Sequence, residues 1–277
     1  MRAKDIILKL KELTTLLFAG VVFSIMGGFS CFQIRAKGDE KWGVISSYTT
    51  YYNEKEGGRC ENIKIAALLI DKITVQAYGE FSFNKTVGRR TADAGFQQAK
   101  IIVNGEYVQG VGGGVCQVST TLYNAALKSG LTVTEFHPHS LRVGYIPPSR
   151  DAMVSTESDF CFFNPFDFPV RILVEVFQGG IRISFLGKGN GKRYELSSNV
   201  LEEILPPDPI VKEGEAEKYL RLPKKGMKSE LYLEEYEGKA LLSRKRLRTD
   251  VYMPVQGIII KKIDKPTNKI LSNDCLF

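Results

Sequence analysis

Two stretches of the chain repeat their apolar residues with the period of a helix, and most of the remainder alternates or clusters as strands do. In ENIKIAALLIDKI, residues Ile63, Ala66, Ala67 and Ile70 share one face. From Gln117 to about Lys128, Val118, Leu122, Ala125 and Ala126 do the same, and a Ser-Gly stop follows with Gly130 as the left-handed residue past the end. YTTYYN, ITVQAYGEFSFNKTVG and AKIIVNGEYVQG read as strands, the last folded on itself at Asn104-Gly105. LTVTEF, LRVGYI, FCFFN, FPVRILVEVF and IRISFL continue the strand pattern. The pattern predicts an α+β domain over about residues 45–190, with two helices against a mainly antiparallel sheet. At LPPDP the composition changes, and the rest alternates around an Glu-Gly-Lys turn, which predicts a small all-β module over about residues 200–265.

Ahead of these elements, Leu13 to Phe32 runs uncharged behind the basic start MRAKDIILKLKE, long enough for a membrane helix. Residues 1–34 then read as a cytoplasmic tail and single-pass anchor, with the bulk of the chain on the cell-wall side. A signal peptide cut after the small residues of MGGFS is the rival reading and would leave the protein secreted. Over 277 residues, 43% hydrophobic content excludes disorder throughout. A net charge of +7 suits an anionic surface, but no basic helix or aromatic-interleaved basic stripe points to nucleic acid. Of five cysteines, none lies in a CxxC pair, so neither a zinc knuckle nor any other metal or cofactor is expected. Cys161, inside the apolar alternation DFCFF, reads as a core residue.

The chemistry concentrates in GVGGGVCQVSTTLYNAALKSG, residues 110–130. Gly112, Gly113 and Gly114 allow backbone angles and close approach that other residues forbid, which suits a pocket floor. Cys116 falls at or just before the first helical turn, where amide N–H groups and the positive pole of the helix favour a thiolate. Ser119 and Thr120 are candidates to cap that turn. A structural cysteine after a flexible turn is the plainer alternative. The only two histidines, His137 and His139, both lie in EFHPHS, where an extended run sets both rings toward one side unless the turn at Pro138 separates them. Asp151 and Asp159 are the acids available to orient an imidazole, completing a set suited to thiol acyl transfer.

FSFNKTVGRRTADAGFQQAKIIVNGEYVQGVGGGVCQVSTTLYNAALKSG, followed by HPHSLRVGYIPPSRDAMV, closely resembles the VanW family, named for an accessory protein of glycopeptide (vancomycin) resistance clusters. The likeness covers about residues 45–187. The tail resembles, more weakly, a small β domain of wall-associated proteins. Some VanW-domain proteins act as L,D-transpeptidases on peptidoglycan stem peptides, and the resemblance implies that Cys116 is the nucleophile. It implies His139 as general base with His137 second, Asp151 as the orienting acid, and Arg90 as the holder of a donor carboxylate. Gly112, Gly113, Gly114, Gln117, Ser119 and Tyr145 join Arg90 as implied substrate contacts. A non-catalytic wall-binding or accessory protein is the alternative function. The chain departs from the family at Tyr78, where proline is usual, and at Ser149, where glycine is usual. Cys60 is also unusual, with Cys161 or Cys275 as its possible disulfide partners.

Overall fold

The computed structural model describes residues 42–103, 105–214 and 216–262. The anchor reading of residues 1–34, Cys31 and Cys275 lie outside the described residues. Among those described, no helix is long and apolar enough to cross a membrane.

The chain runs β1 (Gly43–Tyr51), α1 (Gly57–Ile70), β2 (Thr74–Val75), β3 (Glu80–Ser82), α2 (Phe83–Val87), β4 (Gln98–Val103), β5 (Glu106–Val111) and α3 (Val115–Lys128). It continues through β6 (Thr132–Glu135), β7 (Cys161–Phe163), β8 (Val170–Phe177), β9 (Gly180–Gly187) and β10 (Lys192–Ile204). β11 (Ile210–Gly214), β12 (Lys218–Arg221), β13 (Gly226–Glu237), β14 (Ala240–Tyr252) and β15 (Ile258–Lys262) close it. The class is α+β. One antiparallel sheet has the order β1-β9-β8-β2 and a second β3-β7-β6, with β4 and β5 forming a separate hairpin. In the C-terminal part, β10-β13-β14 is antiparallel, and β11-β15-β12 contains the single parallel pair of the described ladders, β11 with β15.

The predicted helical face of α1 is the buried one: Ile63, Ala66, Ala67 and Ile70 are all sealed. Each of the two isoleucines contributes about 1.5–3 kcal/mol by that burial. They pack with Val118 and Leu122 of α3 and with Ile172, Ile181, Ile183 and Phe185 of β8 and β9. A run of aromatic contacts ties the second sheet in, with Phe81 stacked on Phe162 at 4.8 Å and Tyr123 edge-on to Phe160 at 5.7 Å. Leu196 of β10 and Leu231 of β13 belong to the same apolar cluster, so the C-terminal sheet shares the core of the preceding part.

Several expectations change. A third helix, α2, stands where FSFN reads as strand, because the Ser82 side chain accepts from the Lys85 amide and turns the chain inside the Phe-Ser-Phe alternation. α3 begins two residues earlier than Gln117. It is also not amphipathic: from Val115 to Leu127 every residue except Cys116 is buried. Its polar side chains go inward because each finds a backbone or side-chain partner. Cys60 and Cys161 are free thiols rather than a disulfide pair. Cys161 is half-buried, not core, since the strand alternation sends Phe162 inward and turns the Cys161 thiol to donate to Asp159 Oδ2 at 3.3 Å.

Candidate active site

The Gly-rich loop is shaped by contacts with its own chain. Gly112 and Gly114 take φ of +89° and +108°, and Gly114 is the residue before the first turn of α3. A Cβ on Gly113 would sit 2.5 Å from the Lys100 carbonyl oxygen and 2.8 Å from Ala99 Cβ. Asn62 in α1 locks this approach, donating to the carbonyls of Gln97 and Gly113, both at 2.9 Å. Gly113 and Gly114 are buried in these contacts, and Gly112 alone of the three is partly exposed.

The loop delivers Cys116 as the second residue of α3, partly exposed, with its thiol donating to the Val154 carbonyl at 3.4 Å. His139 comes from an irregular stretch after β6 and lies buried against it. His139 Nδ1 donates to Asp151 Oδ2 at 2.7 Å, and the His139 backbone amide donates to the same oxygen at 2.7 Å. A carboxylate only accepts, so the ring's other nitrogen is left available to the Cys116 thiol, close enough for each to shift the other's titration. Burial works against the charge on His139, but Asp151 and Cys116 together outweigh it and raise the imidazole from 6.5 to about 9. Asp151 moves the other way, to about 2, since its bonds to His139 and the charge of Arg248 overcome its burial. Burial also opposes a thiolate at Cys116. His139, with the charge of Arg90, turns the balance and leaves the thiol below its ordinary value. The arrangement makes a thiolate easier to form beside a protonated imidazole than it is for a free cysteine.

The polar residues of α3 fix the acid's position. Ser119 donates to the Ala152 carbonyl, Thr120 accepts from the Ala152 amide, and Asn124 donates to the Arg150 carbonyl at 2.7 Å, so Asp151 is held by bonds on both sides. Ser119 and Thr120 are therefore clamps on the neighbouring segment rather than caps of their own helix, which has no side-chain cap. Gln117 is buried, bridging Thr50 and Tyr51 to Arg59 Nη2 at 2.6 Å.

The other expected residues separate into near and far. His137 turns away: its Nε2 meets Glu135 Oε1 at 2.9 Å, and its carbonyl accepts from the Met153 amide, so the two rings do not share a pocket. Asp159 is also elsewhere, bonded to Ser82 and the Asn84 amide at the start of α2. Arg90 Nη1 donates to Asn84 Oδ1 at 2.8 Å, and its guanidinium is depressed by burial while the charges of Cys116 and Asp159 oppose that fall. The Tyr145 hydroxyl is buried with no hydrogen-bond partner among the described residues. Burial and then the neighbouring charge of Cys116 push its phenol well above the ordinary range. Thr120, beside it, is already engaged by Ala152. Arg59 lies over the Tyr145 ring at 5.7 Å.

Two groups at the site are absent from the sequence reading. Arg248 Nη1 donates to the Asp151 carbonyl at 2.7 Å with Nη2 3.5 Å from its Oδ1, and the Tyr252 hydroxyl donates to the same Oδ1. Both stand on β14, about a hundred residues beyond Asp151, in a stretch that reads locally as ordinary strand.

Residues 58–186 match the family model described as VanW like protein. This stretch of the chain carries a VanW domain. A relative of the VanW domain is an uncharacterized protein of Bacillus subtilis (strain 168), YoaR, 42% identical over 141 residues that make up 50% of this chain and 46% of that protein. The chain thus spans about half the length of that relative. Among solved structures, HP0197-G5 aligns with a TM-score of 0.16 at 15% identity, covering 25% of this chain and 93% of its own, and that score supports no shared fold. The VanW match contains Cys116, His139 and Asp151 and stops short of Arg248 and Tyr252.

Proposed function

We propose that this protein is a cysteine acyltransferase of the bacterial wall, an L,D-transpeptidase that uses Cys116 on peptidoglycan stem peptides. The observation that carries the reading is the line Cys116–His139–Asp151, with the thiol at the one partly exposed position between Val115 and Leu127. The thiolate attacks the carbonyl carbon between the diamino acid and the terminal D-Ala of a donor stem. His139 gives its proton to the departing D-Ala nitrogen as the C–N bond breaks, leaving a thioester on Sγ. An amine of a second stem then attacks that carbonyl, its proton passes to His139, and the C–S bond breaks to restore the thiolate. Water in place of the amine makes the same site an L,D-carboxypeptidase.

Arg90 is suited to the donor carboxylate and Tyr145 to the carbonyl oxygen as it gains charge, since its hydroxyl is buried beside the thiol with nothing else to bond. Gly112, Gln117 and Ser119 support the loop and the helix start around the substrate. The reading places the domain outside the cell, held by the N-terminal segment or released from it.

Cys116→Ala in the purified exported part, given a stem tetrapeptide and an acceptor amine, tests this. D-Ala release in the wild type and its loss in the variant supports the reading. Equal release by both removes Cys116 from the chemistry, and tight stem-peptide binding with no release by either selects the accessory wall-binding function.

A further inference from the structure

We propose that Arg248 and Tyr252 are positioning residues of the Cys116 site, holding Asp151 in the orientation that serves His139, so that the C-terminal sheet completes the site of the VanW domain. The inference rests on the reading of Cys116 as nucleophile and names what keeps its ion pair in register.

Asp151 is 1% exposed, and its two oxygens have different owners. Oδ2 takes both bonds from His139, while Oδ1 takes Tyr252 and faces Arg248. A carboxylate bonded through one oxygen swings about its Cβ–Cγ bond; one pinned on both sides does not. Arg248 is itself immobilised. It is 7% exposed, its Nε donates to Asp250 Oδ2 at 2.6 Å, and its guanidinium lies 4.7 Å over the Phe136 ring, three residues before His139. Tyr252 is fixed by accepting from the Ser149 amide at 2.7 Å, and Ser149 Oγ meets Ser229 Oγ of β13 at 2.7 Å. One strand end thus grips both sides of the short segment that carries the acid.

The charges close as well. Facing Asp151 are His139, Arg248, Tyr252 and, behind Arg248, Asp250 and Tyr123; beyond the imidazole lie Cys116, Arg90 and Tyr145. Two buried acids, Asp151 and Asp250, are matched by Arg248 and a protonated His139, which leaves the thiolate to be balanced by Arg90. Without Arg248 the pair of acids would be short of one cation, and buried charge without a partner is costly.

The chain holds only two histidines, which makes imidazole titration by NMR a direct readout. In the wild type, His139 stays protonated well above its ordinary midpoint of 6.5. Tyr252→Phe keeps the ring and removes the hydroxyl, and with it both the bond to Asp151 and the acceptor of the Ser149 amide. Positioning predicts that the His139 midpoint falls by about one pH unit or more, because the imidazolium loses its oriented carboxylate. A Tyr252 that acted only by withdrawing charge would do the reverse, since Asp151 without that donor is a stronger acceptor and raises His139. Arg248→Lys, which keeps the charge and loses the fork, is the second variant and is expected to shift His139 down as well. An unchanged or raised His139 midpoint in the folded variants overturns the proposal, whatever happens to their melting temperatures. No substrate enters this titration, so it is decided separately from D-Ala release.

Discussion

Ser119 donates its hydroxyl to the Ala152 carbonyl at 2.6 Å, and the next residue, Thr120, accepts from the Ala152 amide at 3.0 Å. One peptide unit beside Asp151 is thereby fastened to the first turns of the helix that carries Cys116. Nucleophile and acid are set by a single rigid element, and neither can shift without the other. Ser119→Ala leaves the Ala152 carbonyl with only the 3.4 Å contact from Thr120, a loss of about 1–3 kcal/mol. Urea unfolding measures that loss, and the rate of Cys116 alkylation at neutral pH is expected to fall with it as the acid loosens.

Three free thiols among the described residues give an internal comparison. Cys116 is lowered by His139, whereas burial and the Asp159 carboxylate push Cys161 up to about 12. Limiting iodoacetamide near pH 7, followed by peptide mass analysis, is expected to modify Cys116 well before Cys161. His139→Gln removes the partner that lowers the thiol and is expected to slow Cys116 by about tenfold or more. Equal labelling of the two cysteines would contradict the electrostatics of the site.

The coupled pair also sets a pH window for stability. His139 is raised from 6.5 to about 9, so its contribution is full below 6.5 and is lost as pH rises through about 9. Cys116 is lowered from 9.0, so its contribution is full above 9.0 and is lost as pH falls through its depressed value. Between 6.5 and about 9 the first contribution falls with pH while the second rises, so their pH dependences oppose each other. The melting-temperature gap between the wild type and a Cys116→Ala, His139→Gln double variant is expected to change less with pH over that range than either contribution alone would make it. In stronger acid, Asp151 withdraws its own contribution, full above 3.8 and lost as pH falls through about 2.

Much of this was readable from the residues because it is local. The Ile63–Ala66–Ala67–Ile70 stripe, the helix opening at Cys116 and the stop at Gly130, whose φ is +78°, all follow from spacing within a few turns. Ser149, standing where its family has glycine, has a φ of +60°, which explains the usual residue, while the Ser229 and Tyr252 bonds show what holds the serine there. The separation of His137 from His139 was not readable, since it depends on Glu135 claiming one ring and a folded Asp151 the other. The inward-facing Gln117, Thr121 and Asn124 broke the expected amphipathic pattern because their partners lie on β1 and the Arg150 segment, far along the chain. Arg248 and Tyr252 left no signal at all in the local alternation.

Gly113 offers a test of the loop that involves no chemistry. Gly113→Ala drives a Cβ against the Lys100 carbonyl and Ala99, neither of which is the end of a flexible side chain. The expected cost is about 1–3 kcal/mol in denaturant unfolding. Gly105→Ala, where a Cβ would meet nothing within 4 Å, is strained only by its φ of +76° and is expected to lose about 1–2 kcal/mol without touching Cys116 reactivity.

The strand that grips Asp151 is synthesised well after the acid itself. A ribosome that has finished residues 58–186 has made the thiol, the imidazole and the acid, yet Arg248 and Tyr252 have still to emerge. The nascent chain therefore carries Cys116, His139 and Asp151 without that buttress until β14 has followed them.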